Sequence, residues 1–344
     1  MKKVLLLLFT LHVSLLASLA QPDTARIHRH LRLADSVLSA RYYGGNIDTN
    51  YIHRPKGRLT VKLRYNLSGA TIEASGAMTK RFSSHTHADF KGTLSVAATY
   101  RGVSAGLALN PRALLGKYKD YELNLNSYGN RMGFDFIFQR AKNFAGWVQH
   151  NNEPRMDIPG DLMTVRSLNL NGYYAFNHRR FSYPAAFTQS YIQRRSAGSW
   201  MVGASFQGQY LQIRADEQMG NQSAKLQVVN CGIGGGYGYN LVLPHQWLIH
   251  LSSLPTFIVF SRNRMWLSDE RQTIKYRFPE VIITGRGAIV HSWNRYFVGS
   301  TMVFNFTAIG DEDQSSKIRC LLQHFFVTLH SNWNAYGKES EMAR

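Results

Sequence analysis

The sequence predicts an all-β fold, an antiparallel transmembrane-type β-barrel of about 12 strands behind a short N-terminal α-helix. Three observations carry that expectation. First, apolar and polar residues alternate with period two over runs of about ten residues, the length a tilted strand needs to cross a bilayer. Second, mean hydropathy is negative, −0.26, yet 12% of residues are aromatic, with 28 Gly and only 9 Pro. That balance excludes a polytopic helical membrane protein and disorder alike. Third, the chain opens with a segment of export type.

The opening segment reads Met1-Lys2-Lys3, an apolar run from Val4 to Leu16, and small residues at Ser18 and Ala20. This is the pattern of a secretory signal peptide, residues 1–20, cut after Ala20. The chain carries 40 Lys and Arg against 21 Asp and Glu, a net charge of +19. Losing Lys2 and Lys3 leaves the exported chain two charges lower. A charge of this size suggests nucleic acid as a partner, but export and the lack of a basic helix or RNA-binding motif exclude it. An anionic solute or a lipid phosphate remains. Cys231 and Cys320 are too few for a disulfide scaffold. They are read as free thiols, with a bond between them as the alternative.

Residues 21–55 form the lead-in. Asp23 or Thr24 can cap a helix, Ile27, Leu31, Ala34 and Leu38 follow at helical spacing, and Gly44-Gly45 ends it. A periplasmic amphipathic helix is expected. The barrel is expected over 56–335, with a polar tail at 336–344. The clearest strand is 58–67, where Leu59, Val61, Leu63, Tyr65 and Leu67 oppose Arg58, Thr60, Lys62, Arg64 and Asn66. Tyr121 to Asn126 and Met132 to Phe138 flank a Gly129-Asn130 turn as a hairpin. Further strands are expected at 164–176, 193–208, 226–239, 246–260, 281–292, 296–308 and 317–330, with others at 70–80, 90–101 and 103–110. Aromatics near strand ends, Tyr65, Tyr128, Tyr173, Tyr174, Trp247, Trp293, Tyr296 and Trp333, predict interfacial girdles.

Two stretches resemble a known family. One is Ile47-Asp48-Thr49-Asn50-Tyr51-Ile52. The other is Arg180-Phe181-Ser182-Tyr183-Pro184-Ala185-Ala186-Phe187, followed by Gln193-Arg194-Arg195-Ser196-Ala197-Gly198-Ser199. Together they resemble the exported Bacteroidota family catalogued as domain of unknown function 4421, from about residue 30 to the end. The motif positions are Asp48, Tyr51, Phe181, Ser182, Tyr183, Pro184, Ser196, Gly198 and Ser199. The resemblance implies an outer-membrane-type barrel and brings no activity. Many such barrels end in an aromatic residue read by the barrel assembly machinery; here Phe325-Phe326-Val327 and Trp333 offer an internal version.

The residues also speak for themselves. Phe181 to Ser190 lies between two strands, so it is expected as a rim loop restricted by Pro184. Arg179, Arg180, Arg194 and Arg195 bring guanidinium forks to that loop, suited to phosphate or carboxylate. The alternative is a structural latch, its arginines paired with lumen acids such as Asp135 or with solvent. Lys62 and Arg64 are the lumen candidates for anion contact. No cofactor or metal is expected: His85 and His87, and His28 and His30, lack companions at ligand spacing, and Asp311-Glu312-Asp313 lacks the glycine and distal glutamate of a calcium loop. His291-Ser292 and Asn177-His178 faintly resemble a lipid hydrolase, but adjacent strand residues point to opposite faces.

The sequence therefore points to a barrel in a Gram-negative outer membrane. Its role is that of a narrow channel for small anionic or amphiphilic solutes, or of a structural envelope barrel. The alternatives are a lipid-acting hydrolase and a partner-binding barrel. Expected partners are outer-membrane lipid, including lipopolysaccharide phosphates, and the assembly machinery.

Overall fold

The computed structural model describes residues 24–43, 45–55, 59–77, 81–101, 103–109, 121–150, 156–214, 223–267, 270–274, 276, 278–293, 296–310 and 314–331. The expected signal peptide, Trp333 and the polar tail lie outside them. The chain divides into two compact units, residues 1–46 and 47–344. The described residues of the first include the helix α1 (Thr24–Tyr43). No helix among the described residues is long and apolar enough to cross a membrane.

The second unit is built of strands. In chain order they are β1 (Ile52–His53), β2 (Leu59–Ala77), β3 (Arg81–Tyr100), β4 (Val103–Leu109), β5 (Tyr121–Tyr128), β6 (Met132–His150) and β7 (Met156–Ala175). A short helix, α2 (Tyr183–Phe187), and β8 (Ile192–Gln193) follow. Then come β9 (Ala197–Ile213), β10 (Ala224–Leu243), β11 (Trp247–Ser261), β12 (Asn263–Leu267), β13 (Glu270–Ile274), β14 (Val281–Trp293), β15 (Tyr296–Gly310) and β16 (Gln314–Ser331). Twelve of them, all but β1, β8, β12 and β13, form one antiparallel ring, in which β16 closes on β2 and β10 on β11. Closure leaves none of these twelve strands at an edge. Strands β12 and β13 make a hairpin that continues the wall beside the start of β10.

The wall is not uniform. The lower half of β3 pairs with β4, and β5 with β6, but residues 82–88 of β3 pair directly with 144–150 of β6. The short β4–β5 hairpin thus widens one mouth only. The expected strands at 58–67 and 70–80 are one strand, β2, whose ladder slips between Ser68 and Ala70. Gly69 at that bulge interrupts the alternation and makes one strand look like two.

The side chains obey the alternation. Inward lie Thr60, Lys62, Ser95, Thr99, Ser167, Asn171, Ser205, Gln207, Asn230, Thr284 and Thr307, all buried. Outward lie Val61, Leu63, Tyr65, Leu94, Val96, Leu170, Val202, Ile233, Leu251, Phe257 and Ile289, all exposed. Apolar side chains such as Met163, Val165, Leu226, Val228 and Ile258 are buried inside as well, but a soluble sandwich does not leave so apolar an outer face.

The glycine-rich part of β10 sets a tight corner. A Cβ on Gly234 would sit 2.1 Å from the Pro255 carbonyl oxygen, and one on Gly236 2.0 Å from that of Ser253. Only glycine lets β11 pack so closely. Across the lumen the Thr307 hydroxyl on β15 donates to Gln207 Oε1 on β9 at 3.0 Å. Opposite walls touch there through side chains alone.

Candidate functional site

The link between β7 and β9 does not lie on the rim. Phe181 to Tyr191 are all buried, because this segment turns into the barrel mouth. The reason is local. Ser182 caps α2, its hydroxyl accepting from the Ala185 N–H at 3.3 Å, and Pro184 sits in the first turn, where no N–H is needed. A buried left-handed residue, Gln189 at φ 53°, turns the chain back toward β8.

Side chains from all round the wall grip this plug. Lys62 on β2 donates from Nζ to the Phe187 carbonyl at 2.8 Å. Asn130, in the β5–β6 turn, accepts from the Ser182 hydroxyl at 2.7 Å. Asn240 on β10 donates to the Ser182 carbonyl at 2.9 Å and to Gln193 Oε1 at 3.0 Å. Tyr183 is 1% exposed and lies at the centre. Its ring centroid is 4.5 Å from that of Tyr173, 5.0 Å from Phe187 and 5.0 Å from His250.

The polar groups form one directed chain. Asp135 on β6 accepts from both Tyr128 and Arg286. Arg286 on β14 also donates from Nη1 to the Tyr183 hydroxyl at 3.0 Å. That hydroxyl lies 3.1 Å from Ser252 Oγ, which lies 2.9 Å from His250 Nε2. His250 Nδ1 is 2.6 Å from Asn240 Oδ1. Because the Asn240 amide nitrogen is already donating, its oxygen accepts, so the imidazole proton sits on Nδ1. Apart from Arg286 Nε, which has no acceptor, the buried polar side-chain atoms of this relay are hydrogen-bonded, as burial demands.

The two family-type motifs meet here. β1 pairs with β8, Ile52 opposite Gln193 and His53 opposite Ile192. The Asp48 N–H donates to the Arg179 carbonyl at 2.8 Å, and the Arg194 N–H to the Tyr51 carbonyl at 2.7 Å. Arg179, Arg180, Arg194 and Arg195 are all exposed on this outer side of the plug. Arg180 lies 3.4 Å from the Asp48 carboxylate. The guanidinium carbons of Arg180 and Arg195 stand 5.1 and 5.9 Å from the Tyr51 ring centroid. Asp135 is taken by Arg286 instead. Arg64 is half-buried on the inward face of β2.

The rest of the second motif shapes the wall. Ser196 Oγ accepts from the Val242 N–H at 2.9 Å, and Ser199 Oγ from the Asn177 N–H at 2.9 Å. A Cβ on Gly198 would lie 2.0 Å from the Tyr237 hydroxyl. Of the expected girdle, Tyr65, Trp247, Trp293 and Tyr296 face outward. Tyr128 and Tyr173, each 6% exposed, turn inward onto the plug. Tyr173 and Tyr174 are neighbours on one strand and cannot share a face. His291 stacks outward between Trp247 and Trp293, at 4.6 and 5.3 Å, while Ser292 pairs with the buried Phe297 on the inward face. Cys231 is a half-buried free thiol. No group of three or more potential metal ligands occurs among the described residues.

Sequence reasoning missed Arg286, His250, Asn240 and Tyr128 as plug contacts. Their signal was present, since each is a polar or aromatic residue at an inward position, but the strands they join are far apart in sequence.

Fold and site together define a β-barrel closed at one mouth by a loop of its own chain. The chain belongs to the family described as Domain of unknown function (DUF4421), which matches residues 46–321. No curated protein matches it. Among solved structures it is similar to the outer membrane protease OmpT of Escherichia coli, with 6% identity and a TM-score of 0.45 over 79% of this chain and 96% of that one. It is also similar to the transport unit of the E. coli autotransporter AIDA-I, with 9% identity and a TM-score of 0.33 over 85% and 97% of the two chains. A third, outer membrane protein OprG of Pseudomonas aeruginosa, shows 11% identity and a TM-score of 0.30 over 83% and 100%.

Proposed function

We propose that this protein is an outer-membrane barrel with a closed lumen, a structural or partner-binding element of the envelope rather than a standing channel. The membrane assignment rests on the outward apolar face of a closed ring whose interior carries many polar side chains. The first strand of the ring starts and the last one ends at the mouth that also carries the turns 129–131 and 244–246, as is usual at the periplasmic side. The plug occupies that same mouth and presents its arginines there.

The observation that carries closure is the burial of residues 181–191 against the β5–β6 turn and inward side chains of β2, β5, β7, β10, β11 and β14. Lys62, whose charge suggested a solute contact, spends an N–H on the plug backbone. Planar-bilayer recording tests the reading. The intact protein should insert without steady conductance. A variant in which residues 181–191 are replaced by a short Gly-Ser linker should conduct. Steady, anion-selective conductance of the intact protein would restore the channel.

A further inference from the structure

Like charges meet on the outer surface where a membrane lipid would reach them. On the ladder between β6 and β7, Arg140 stands directly opposite Arg166, and Arg166 in turn opposite Tyr210 on β9. All three face outward, since their neighbours Gln139, Ser167 and Gln209 belong to the inward set, with Ser167 and Gln209 buried. Two guanidinium groups directly opposed across a ladder repel one another. Arg140 Nε is shielded from solvent and has no hydrogen-bond partner among the described residues. The outward positions of this patch, Phe134, Phe136, Phe138, Thr164, Leu168, Leu170, Phe206 and Gln212, include no acid.

Position along the wall narrows the missing counter-charge. Arg140 lies eight residues beyond Met132, the first residue of β6. At about 3.3 Å per residue and a tilt of about 40° this is roughly 20 Å along the barrel axis. The apolar band of such barrels is about 25 Å tall. The pair thus sits near the top of the band, at the outer leaflet. The row beneath it is apolar, Phe138 opposite Leu168 and Phe136 opposite Leu170.

We infer that Arg140, Arg166 and Tyr210 clamp a phosphate of an outer-leaflet lipid, whose acyl chain runs down the Phe138–Leu168 and Phe136–Leu170 rows. The two guanidinium forks supply charge-assisted donors and the phenol a third. A phosphate between them turns the repulsion into a bridge, and the apolar rows select an anion that carries a hydrocarbon tail. The inference rests on the outer-membrane reading above.

The test uses the full chain, delipidated in detergent micelles, with lipid A as probe. Native mass spectrometry should show the diphosphorylated lipid binding at least about tenfold more tightly than its dephosphorylated form. Arg140→Gln with Arg166→Gln should remove that preference. Tyr210→Phe should weaken it about threefold, and Arg179→Gln with Arg194→Gln, at the other mouth, should leave it intact. Arg140→Lys with Arg166→Lys, which keeps the charge and loses the forks, covers the case in which the glutamine pair misfolds, and should lose most of the preference. Equal affinity for the two lipid forms, an unaffected double variant, or inorganic phosphate competing at the lipid's own concentration would overturn the inference. A protein that inserts and stays closed but ignores the phosphate refutes this inference alone. One that fails to insert refutes the membrane reading.

Discussion

Replacing Asp135 by alanine isolates the electrostatic hold on the plug. Asp135 is 3% exposed, as is Arg286, and Tyr128 and Arg286 both donate to its carboxylate. Its loss leaves the guanidinium buried with Tyr183 Oη as remaining acceptor, while Arg286 Nε already lacks one. Breaking a buried pair from one side costs about 3–5 kcal/mol, so Asp135→Ala should lower the unfolding equilibrium by about three powers of ten. Guanidinium titration in detergent micelles, followed by tryptophan fluorescence, measures it. The double variant Asp135→Leu with Arg286→Met removes both charges, and should recover to within about 2 kcal/mol of the parent. The reasoning fails if the single variant lies within about 1 kcal/mol of the parent, or if the double variant is no better than the single.

Two further outcomes follow from the same packing. Lys62→Met leaves the Phe187 carbonyl buried without its 2.8 Å donor, a loss of about 1–3 kcal/mol. Brief conductance events in bilayer recordings should reveal the loosened plug. Gly236→Val should prevent the protein from reaching its folded, heat-shifted form on gels, because the new Cβ meets the Ser253 carbonyl oxygen at 2.0 Å. Gly235→Ala, whose nearest contact is at 3.4 Å, should fold normally and serves as its control.

The strands were legible because half of each faces lipid-like surroundings and half the lumen, which writes period two into the chain. Leu59 to Leu67 shows it best. Gly69 hid the continuity of β2, and the β12–β13 hairpin went unread because Arg264, Trp266 and Arg271 carry no apolar alternation. The plug was harder. Ser182-Tyr183-Pro184 spells a helix start, but nothing local says that the helix enters a lumen. Its grip depends on Lys62, Asp135, Asn240, His250 and Arg286, which five different strands contribute. Asp135 and Arg286 are 151 positions apart, and no spacing rule links them. The arginines beside the motif were visible in sequence, but their exposure outside the plug follows only from the β1–β8 pairing.

That pairing and the place where the plug is attached have a topological consequence. β7 and β9 are immediate neighbours, Ala175 opposite Met201, so the intervening loop leaves and rejoins the wall at almost one point. Filling the lumen with this loop needs no chain end to be threaded through the ring, and emptying it needs none to be withdrawn. Ring closure through β16 and β2 and filling of the lumen are thus separable events. The chain can shut as a hollow ring and afterwards swallow its own loop, or release it, without breaking a single rung of the wall.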